Sequence, residues 1–374
     1  MKYFIIAGEK SGDLHGSNLV RGLLKTDPDA KICCWGGDMM KEAGADLKMH
    51  YRHTAFMGFV TIVMNIRAIK RNLELCKQQI GDFKPDVVIL IDYPGFNLRI
   101  AEFAKGKGFR VFYYISPKLW AWKEGRVEKV KRYVDRMYII FPFEKEFYNK
   151  HGIPAEYYGN PLVDEIEKRK RELPSPEAIR RELGIGTEPV ITILAGSREQ
   201  EVRHILPRLV KSIGNLKGFT FIIAAVDTIS DEYYKKYSGS ANIRLIHGKT
   251  YELLSISEAA IVKSGTSTLE AALLDIPQVV VYAGDWLSFI IARQLVKVRF
   301  ISLVNLILEK EVVRELIQYL MTEENITNEI KAILPGGIKR SVVMDEYRKL
   351  HNILGGEGAS DRVASEMVKT LSAR

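Results

Sequence analysis

Short, almost wholly apolar segments alternate with segments of helical spacing along this chain, and the alternation occurs in two separate series. Continuous apolar strands joined by helices are typical of parallel sheets that are covered on both faces. The first series predicts strands at residues 2–7, 31–35, 86–91, 110–115 and 137–141, with helices at 13–25, 66–81 and 98–107. The second series predicts strands at residues 190–194, 219–225, 243–246, 260–262 and 278–282. The pattern therefore predicts an α/β protein of two doubly wound, Rossmann-like domains.

A charged stretch at residues 167–175, close to two prolines, separates the two series and is typical of a linker. A length of 374 residues also suits two domains. We expect an N-terminal domain over residues 1–165, a C-terminal domain over 166–345, and a helical segment over 346–374 that could pack back on the first domain. Ligands of open α/β sheets bind beyond the carboxyl ends of the strands, so we expect a site in a cleft that the two domains face.

The charge balance favours anionic partners. The chain carries 55 Lys and Arg against 46 Asp and Glu, a formal net charge of +9. Nucleotides and phospholipid surfaces fit this charge, whereas no zinc-finger spacing, aromatic RNA-binding signature or basic arm indicates a nucleic-acid partner. The chain opens on a strand rather than a secretory signal, and its three cysteines are typical of small core residues. We therefore expect a cytoplasmic protein.

A strand, the turn Ser-Gly-Thr-Ser and an apolar helix follow one another at residues 260–274. A helix N-terminus directs backbone N–H groups and a positive dipole end at an anion. Gly265 leaves space for a diphosphate to approach Thr266 and Ser267, and Glu270 could reach ribose hydroxyls. The alternative is that Ser267 and Glu270 are only a capping box.

A second turn suited to anions lies at residues 194–198, Leu-Ala-Gly-Ser-Arg, in the same half. After Gly196, Ser197 can cap the next helix, which leaves Arg198 to bind a leaving diphosphate through its planar donor fork. Glu201 lies on the first turn of that helix. Lys249, in the loop at residues 247–250, belongs to a segment that could hold a nucleobase, although such a loop alone is unspecific.

Asp92 is the strongest catalytic candidate of the first half, because it ends the apolar strand V-V-I-L-I and opens the loop D-Y-P-G-F-N. Apolar walls could raise the pKa of its carboxyl towards that of a useful base. The alternative is an aspartate that only starts a turn. At the end of the first strand, Glu9, Ser11 and Gly12 would line the acceptor side, with Glu9 as the next candidate base. Ser11 could instead cap the following helix.

An uncharged apolar run at residues 54–66 is followed by Arg67 and Lys70. It is too short to span a bilayer, but an apolar run edged by cations suits a surface that enters an anionic membrane interface. The other interpretation is a buried helix and loop.

For metal binding, the D-x-D spacing of Asp27 and Asp29 lies in a turn that ends a helix, which favours a structural role. We expect neither a metal nor a cofactor.

Several segments together resemble the bacterial lipid-A-disaccharide synthase family. They are GEKSGD, AFMGFVTIV, IDYPGFN, SPKLWAWKEGRV, PFEKEFY, YGNPLVDE, LAGSREQEV, KSGTSTLEAALL and LVNLILEKEVVRELIQ, and their order and spacing match over nearly the whole chain. SPKLWAWK and IDYPGFN are specific to the family, while SGTSTLE is shared with many GT-B glycosyltransferases. The resemblance implies the GT-B fold and a metal-independent, inverting hexosyltransferase of lipid A biosynthesis.

The resemblance also implies residue roles. The essential aspartate of the family falls on Asp92, its diphosphate-side arginine on Arg198, its helix glutamate on Glu270, and an asparagine of a late loop on Asn305. In this family the apolar run faces the membrane, and its apolar side chains here would be Val60, Ile62, Val63 and Ile66. Lys10 and Lys118 stand where small or polar residues are usual, which leaves the acyl-chain preference open.

The implied donor is UDP-2,3-diacylglucosamine and the implied acceptor is 2,3-diacylglucosamine 1-phosphate. Their product would be the β(1→6)-linked disaccharide 1-phosphate, made at the cytoplasmic face of the inner membrane of a Gram-negative bacterium. A second copy of the chain, as a homodimer, completes the expected partners. Two other functions stay open from the residues alone: a UDP-sugar 2-epimerase, which shares a segment like G-N-x-x-x-D at residues 159–164, and a non-catalytic protein that binds UDP or lipid.

Overall fold

The chain divides into two compact units in a computed structural model that describes residues 1–53, 66–121, 124–239, 243–286, 289 and 298–373. Unit 1 comprises Met1–Asp164 and Leu354–Arg374, and unit 2 comprises Glu165–Ile353. Each unit contains a parallel sheet with helices, so the predicted pair of doubly wound α/β domains is confirmed. Unit 1 is built from two separate stretches of sequence, and unit 2 lies between them in the chain.

Unit 1 has a seven-stranded parallel sheet in the order β3-β2-β1-β4-β5-β6-β7. The strands are β1 Lys2–Ala7, β2 Lys31–Gly36, β3 Asp46–His50, β4 Val87–Ile91, β5 Arg110–Tyr114, β6 Arg136–Ile139 and β7 Ala155–Tyr157. The helices of the first stretch are α1 Lys10–Thr26, α2 Asp38–Glu42, α3 Ile66–Phe83, α4 Pro94–Gly106, α5 Val127–Tyr133, α6 Glu144–Lys150 and α7 Pro161–Glu172, the last of which continues into unit 2.

The central strands of unit 1 are apolar throughout because both faces of the sheet are covered. Alternate residues of each strand enter opposite cores, so Phe4 and Tyr3 of β1 belong to different apolar clusters. Cys33 and Cys34 are divided in the same way, and with Cys76 they are free and buried. The prediction that the cysteines are core residues is therefore confirmed.

The helix α16, Ala359–Ser372, packs against α1 of unit 1. Val363 and Met367 of α16 lie in the same buried cluster as Leu19 of α1. The two helices approach closely at Gly22, where an added Cβ would lie 2.8 Å from the Cβ of Ala364. The helix that follows unit 2 in sequence thus covers one face of the sheet of unit 1.

Unit 2 has a six-stranded parallel sheet in the order β10-β9-β8-β11-β12-β13. Its strands are β8 Val190–Leu194, β9 Thr220–Ala225, β10 Ile243–His247, β11 Ser257–Lys263, β12 Gln278–Tyr282 and β13 Glu315–Ile317. Its helices are α8 Pro176–Glu182, α9 Glu199–Ile213, α10 Asp231–Ser238, α11 Thr250–Ser255, α12 Thr266–Leu273, α13 Leu303–Leu308, α14 Glu323–Ile333 and α15 Arg340–Leu354, the last of which ends in unit 1.

Neither a membrane span nor a metal cluster occurs among the described residues. No helix within them is long and apolar enough to cross a bilayer. The same residues contain no group of three or more His, Cys, Asp or Glu side chains placed to hold a metal ion. Asp27 of the D-x-D spacing instead pairs with the N-terminal ammonium group of Met1 at 2.7 Å and accepts a hydrogen bond from the Tyr3 hydroxyl at 3.0 Å, which confirms its structural role.

Candidate functional site

Unit 2 contains a pocket of about 330 Å³ at the carboxyl ends of strands β8, β9 and β11. Open α/β sheets bind ligands at this edge because the turns between strand and helix converge there. Among the described residues, the pocket is lined by Leu194, Gly196, Ser197, Glu201, Ala224, Val226, Thr250, Tyr251, Lys263, Ser264, Gly265, Thr266, Ser267 and Glu270. The two turns that the sequence singled out therefore line one pocket.

The turn after β8 is closed by Glu201 rather than by a serine cap. Gly196 has φ +113°, and an added Cβ would lie 2.4 Å from Oε2 of Glu201, so the position requires glycine. The backbone N–H of Ser197 donates to the same Oε2 at 2.9 Å. Helix α9 begins at Glu199 with Arg198 as its N-cap, and no side chain caps it. The prediction that Ser197 caps the helix is therefore wrong, because the helix starts one residue later than that role requires.

Arg198 and Lys249 lie outside the set of described residues that line the pocket. The side chain of Arg198 is 62% exposed, and its Nη1 lies 3.9 Å from Oε1 of Glu201. Nζ of Lys249 pairs with Glu182 at 2.8 Å and with Glu252 at 3.4 Å. Lys249 therefore ties helix α8 to helix α11, although its neighbours in the sequence line the pocket.

The turn after β11 presents an open helix N-terminus. Gly265 is the N-cap and α12 begins at Thr266, so Ser267 and Glu270 do not form a capping box; that alternative is wrong. Thr268 instead donates its hydroxyl to the carbonyl of Gly265 at 2.8 Å. An added Cβ at Gly265 would meet nothing nearer than a backbone oxygen at 4.0 Å. The space before the helix is thus open to an anion.

Glu270 is held in a fixed orientation inside the pocket. The Tyr251 hydroxyl donates to its Oε1 at 2.9 Å, and Ser267 also hydrogen-bonds the carboxylate. Burial raises the pKa of Glu270, and these two hydrogen bonds oppose that rise. Tyr251 is held in turn by the guanidinium of Arg169, 5.7 Å from its ring centroid. Tyr251 is a pocket residue that the sequence motifs do not indicate, and its place at the start of a short helix after a loop is the only signal for it.

Asn305 has an architectural role in the structure. Its side-chain Nδ2 donates to the carbonyl of Val313 at 2.8 Å and to Glu315 at 2.9 Å, and its Oδ1 accepts from the N–H groups of Val312 and Val313. These four bonds use the two donors and two acceptor sites of a carboxamide. Asn305 is fully buried and fixes the loop before β13, while its contact with the donor stays a prediction.

Asp92 of unit 1 lies in a strained turn at the end of β4. It has φ +44°, and Tyr93 has φ +48°. Left-handed residues other than glycine persist only where their surroundings hold them. The Asp92 N–H donates to the carbonyl of Ile115 at 3.2 Å, and its own carbonyl accepts from Asn97 Nδ2 at 2.8 Å and from the Tyr113 hydroxyl at 2.5 Å. Backbone bonds on both sides therefore fix the position of the carboxylate.

The pKa of Asp92 is raised to about 6, mainly by burial and also by the charge of Glu9, although Lys118 and a backbone hydrogen bond from Tyr93 lower it. A carboxylate with such a pKa is a better proton acceptor than an exposed one and is still ionised at neutral pH. The ring of the next residue, Tyr93, stacks on Phe96 with centroids 5.5 Å apart. A raised pKa and a fixed position suit a general base, and that role of Asp92 stays a prediction.

Glu9, Ser11 and Gly12 lie at the start of α1. Glu9 is the N-cap residue and no side chain caps this helix, so the alternative that Ser11 is a cap is wrong. The Ser11 hydroxyl instead donates to Oε1 of Glu9 at 2.9 Å. An added Cβ at Gly12 would lie 3.2 Å from the Cβ of Ala7, which leaves little room between helix and strand. The charge of Glu9 raises the pKa of Asp92, so the two carboxylates are near enough to interact.

The motif S-P-K-L-W is folded around the buried carboxylate of Glu144. This carboxylate accepts hydrogen bonds from the Ser116 hydroxyl, from Nε1 of Trp120 at 3.0 Å and from the N–H of Phe141 at 3.0 Å. Burial raises the pKa of Glu144 to about 6, and these donors oppose the rise. The loop that carries Lys118 is thus anchored on both sides of that residue, and sequence reasoning gave no sign of the anchor.

The expected membrane segment is described only at its end. Residues 54–65, and with them Val60, Ile62 and Val63, lie outside the described residues. Ile66 is 54% exposed at the start of α3, and Arg67 and Lys70 are exposed beside it.

The segment that resembled an epimerase has a structural explanation. The carboxylate of Asp164 accepts hydrogen bonds from the backbone N–H groups of Gly358, Ala359 and Ser360 at 2.7 to 3.1 Å. Asn160 donates its amide to the carbonyl of Ile140 at 3.0 Å. The segment therefore binds the N-terminus of α16 to the first stretch of unit 1.

Solved structures share this two-unit fold at low sequence identity. The UDP-GlcNAc 2-epimerase from Neisseria meningitidis, bound to UDP-GlcNAc, aligns with a TM-score of 0.70 and 16% identity, over 99% of this chain and 100% of that one. A Staphylococcus aureus MnaA–UDP complex aligns with a TM-score of 0.71 and 13% identity, over 100% and 97%. The two parallel sheets and these structural neighbours define an α/β protein with a fold of the GT-B type.

Sequence comparison then identifies the family. The family model for lipid-A-disaccharide synthetase matches residues 3–366. The lipid-A-disaccharide synthase of Syntrophus aciditrophicus is 38% identical over 368 residues, covering 96% of this chain and 95% of its own. That of Myxococcus xanthus is 36% identical over 380 residues, covering 99% and 97%. The chain belongs to the lipid-A-disaccharide synthase family.

The family confirms the expected class of enzyme, a glycosyltransferase of lipid A disaccharide synthesis that uses a UDP-sugar donor. The epimerases share only the fold, at 13–16% identity, so the epimerase alternative is not favoured.

Proposed function

We propose that the protein transfers 2,3-diacylglucosamine from UDP-2,3-diacylglucosamine to the 6-hydroxyl of 2,3-diacylglucosamine 1-phosphate. The observation that carries the proposal is Asp92, a half-buried carboxylate with a raised pKa, fixed by strained backbone at the end of β4. Its environment matches the task of taking a proton from an alcohol at neutral pH. Membership of the lipid-A-disaccharide synthase family supports the two sugars.

In the proposed reaction, Asp92 accepts the proton of the acceptor hydroxyl while that oxygen attacks the anomeric carbon of the donor. The bond from this carbon to the diphosphate breaks as the new bond forms, and UDP leaves with the electron pair. Attack from the side opposite to UDP converts the α-linkage to a β(1→6) linkage. The products are the disaccharide 1-phosphate and UDP, and Glu9 is the second candidate for the base.

The pocket of unit 2 is assigned to the UDP part of the donor. The open N-terminus of α12, from Gly265 to Ser267, would bind the diphosphate together with Arg198. Arginine suits this role because its planar fork of donors matches phosphate oxygens. Glu270, oriented by Tyr251, would accept hydrogen bonds from the ribose hydroxyls.

We assign the protein to the cytoplasmic face of the inner membrane of a Gram-negative bacterium, as a peripheral protein. Both proposed substrates carry acyl chains, which favours an enzyme that works at a bilayer surface. The exposed Ile66 with Arg67 and Lys70 fits the edge of such a surface. The homodimer stays a prediction, which light scattering in detergent tests.

The decisive experiment incubates the protein with both acylated sugars and follows UDP and disaccharide 1-phosphate by mass spectrometry. Formation of both products in equal amounts supports the proposal. UDP without disaccharide contradicts transfer and indicates hydrolysis of the donor. A parallel incubation with UDP-N-acetylglucosamine tests the epimerase, which predicts an epimerised UDP-sugar. If the protein binds UDP but converts neither the acylated sugars nor UDP-N-acetylglucosamine, it is a non-catalytic binding protein.

A further inference from the structure

Lys263 is the last residue of β11, and its side chain lines the pocket of unit 2. Its Nζ lies 2.7 Å from Oε1 of Glu201, and the side chain is 20% exposed. The ammonium group also lies 6.0 Å from the centroid of the Tyr282 ring. Lys263 directly precedes the turn Ser-Gly-Thr-Ser, and no role for it follows from the sequence motifs.

The charges of the pocket give Lys263 its importance. The described residues that line it include two carboxylates, Glu201 and Glu270, and a single cation, Lys263. A nucleoside diphosphate adds further negative charge, and bringing anions together in a partly buried place is costly unless a cation pairs with them. Arg198 is largely exposed, so its charge is more strongly screened by solvent than that of Lys263.

We propose that Lys263 binds the diphosphate of the donor and makes the pocket select nucleoside diphosphates over monophosphates and nucleosides. This inference rests on the proposed UDP donor and adds the residue that recognises its phosphates. Lys263 is the last residue of β11, and the turn that follows it leads into the open N-terminus of α12. A phosphate bound at that N-terminus is therefore close to Lys263. A charge-assisted contact there adds to the helix dipole.

Glu201 limits how strongly Lys263 can bind the diphosphate. One carboxylate oxygen pairs with Lys263, and the other accepts the N–H of Ser197, so the carboxylate bridges the turns after β8 and β11. It thereby binds two groups that a phosphate would also bind. An incoming diphosphate must compete with Glu201 for Lys263, which limits the affinity for UDP and favours its release after the reaction. Glu201 is accordingly a positioning residue rather than a direct ligand.

The test compares the binding of UDP, UMP and uridine by calorimetry in the wild type and in Lys263→Met, Lys263→Arg and Glu201→Gln. We expect Lys263→Met to weaken UDP by about tenfold or more and UMP by less, with uridine unchanged. Lys263→Arg should restore most of the UDP affinity because it keeps the charge. Glu201→Gln should tighten UDP by about threefold, since the amide still accepts from Ser197 but no longer neutralises Lys263.

Lys310→Met is the matched control. Its Nζ pairs with Oε2 of Glu346 at 2.6 Å, also in unit 2, but Lys310 is not among the residues that line this pocket. We expect all three affinities to stay at their wild-type values in this variant. Melting temperatures show whether each variant is folded. If Lys263→Met is not folded, the UDP affinities of Lys263→Arg and the wild type are compared instead.

Three outcomes would overturn the inference. One is a Lys263→Met protein that keeps the wild-type preference for UDP over uridine. Another is an equal loss of UDP and uridine affinity, which would indicate that the pair only holds the pocket together. The third is a Glu201→Gln protein that binds UDP more weakly. A wild-type protein that binds none of the three ligands would instead overturn the proposed donor, and this inference with it.

Discussion

The Tyr113 hydroxyl donates a hydrogen bond of 2.5 Å to the backbone carbonyl of Asp92, across neighbouring strands of unit 1. Tyr113 is fully buried, so this bond supports the strained turn from the interior of the protein. The carbonyl that the bond holds belongs to the residue whose carboxylate is the proposed base. The chemistry assigned to Asp92 therefore depends on the packing beneath it.

Asp92→Asn should reduce the rate of disaccharide formation by about 10²- to 10⁴-fold, because an amide cannot accept the proton of the acceptor hydroxyl. The affinity for UDP should stay unchanged, since Asp92 belongs to unit 1 and the pocket to unit 2. Initial rates with both acylated sugars and calorimetry with UDP measure the two effects. Asp82→Asn, an exposed site at the end of α3, is the control. More than about a tenth of the wild-type rate in Asp92→Asn would assign the base to another residue, with Glu9 as the first to test.

The pH dependence follows from the raised pKa of Asp92, about 6 in the folded protein against an ordinary value of 3.8 for an aspartate side chain. The base must be ionised, so kcat/KM should fall as the pH drops through about 6.

The same pKa predicts the opposite effect of pH on the free energy of unfolding. A raised pKa means that the folded state binds the proton more tightly than the unfolded state does. The ionised carboxylate therefore lowers the stability of the folded protein above pH 6. Asp92→Asn should therefore gain about 1–3 kcal/mol of unfolding free energy at pH 7.5, and this gain should shrink by pH 4.5. Urea unfolding at both pH values measures it, and a constant difference would contradict the shift.

Arg198→Ala should weaken UDP binding in a manner that depends on salt. The side chain is 62% exposed, so its attraction for a phosphate is screened by ions. We expect a loss of about three- to tenfold at low salt, and a smaller loss at 0.5 M salt. Calorimetry with UDP at both salt concentrations measures this. Arg203→Ala, one turn further along α9 and five residues from Arg198, is the control variant. Equal affinities of Arg198→Ala and the wild type at low salt would remove Arg198 from the site.

Glu270→Ala should abolish the preference of the protein for UDP over 2′-deoxy-UDP. If the carboxylate binds the ribose hydroxyls, the wild type loses a charge-assisted hydrogen bond with the deoxy ligand, worth about tenfold in affinity. The variant has no carboxylate to lose, so it should bind the two nucleotides equally. It should also lose about 1 kcal/mol of stability because the partly buried Tyr251 hydroxyl loses its acceptor. A variant that keeps the wild-type preference would show that Glu270 only orients Tyr251.

Replacing Ile66 with Ser, and Arg67 and Lys70 with Gln, should shift the protein from liposomes with anionic lipids to the supernatant. Burying one exposed aliphatic side chain contributes at most about 1–2 kcal/mol, and each cation near anionic lipid about 1 kcal/mol. Sedimentation with vesicles of neutral and anionic composition measures the shift. These residues are exposed, so the melting temperature should not change. Unchanged sedimentation with anionic vesicles would place membrane contact elsewhere.

The sequence predicted the central strands well, because their apolar runs are buried on both faces of a sheet. Strands such as Val190–Leu194 were located to the residue. The edge strand Asp46–His50 was missed, since it is polar and only partly buried. Helix starts were shifted by local geometry: Pro94 begins a helix directly after the left-handed Tyr93, four residues before the apolar spacing indicated it. Lys263 and Tyr251 could not be predicted, because their roles come from contacts with residues distant in the chain.

The position of α16 has a consequence for the order in which the protein can be made. During synthesis, the first 164 residues leave the ribosome before the helix that covers one face of their sheet exists, and all of unit 2 is made in between. Until that helix arrives, side chains such as Leu19 and Ile5 lack part of their apolar cover, and Asp164 lacks the N–H groups that it binds. The apolar cover of the sheet that carries Asp92 is therefore completed only after unit 2 has been made. A nascent chain of this protein depends on α16 to finish burying side chains of β1 and α1, which are translated long before it.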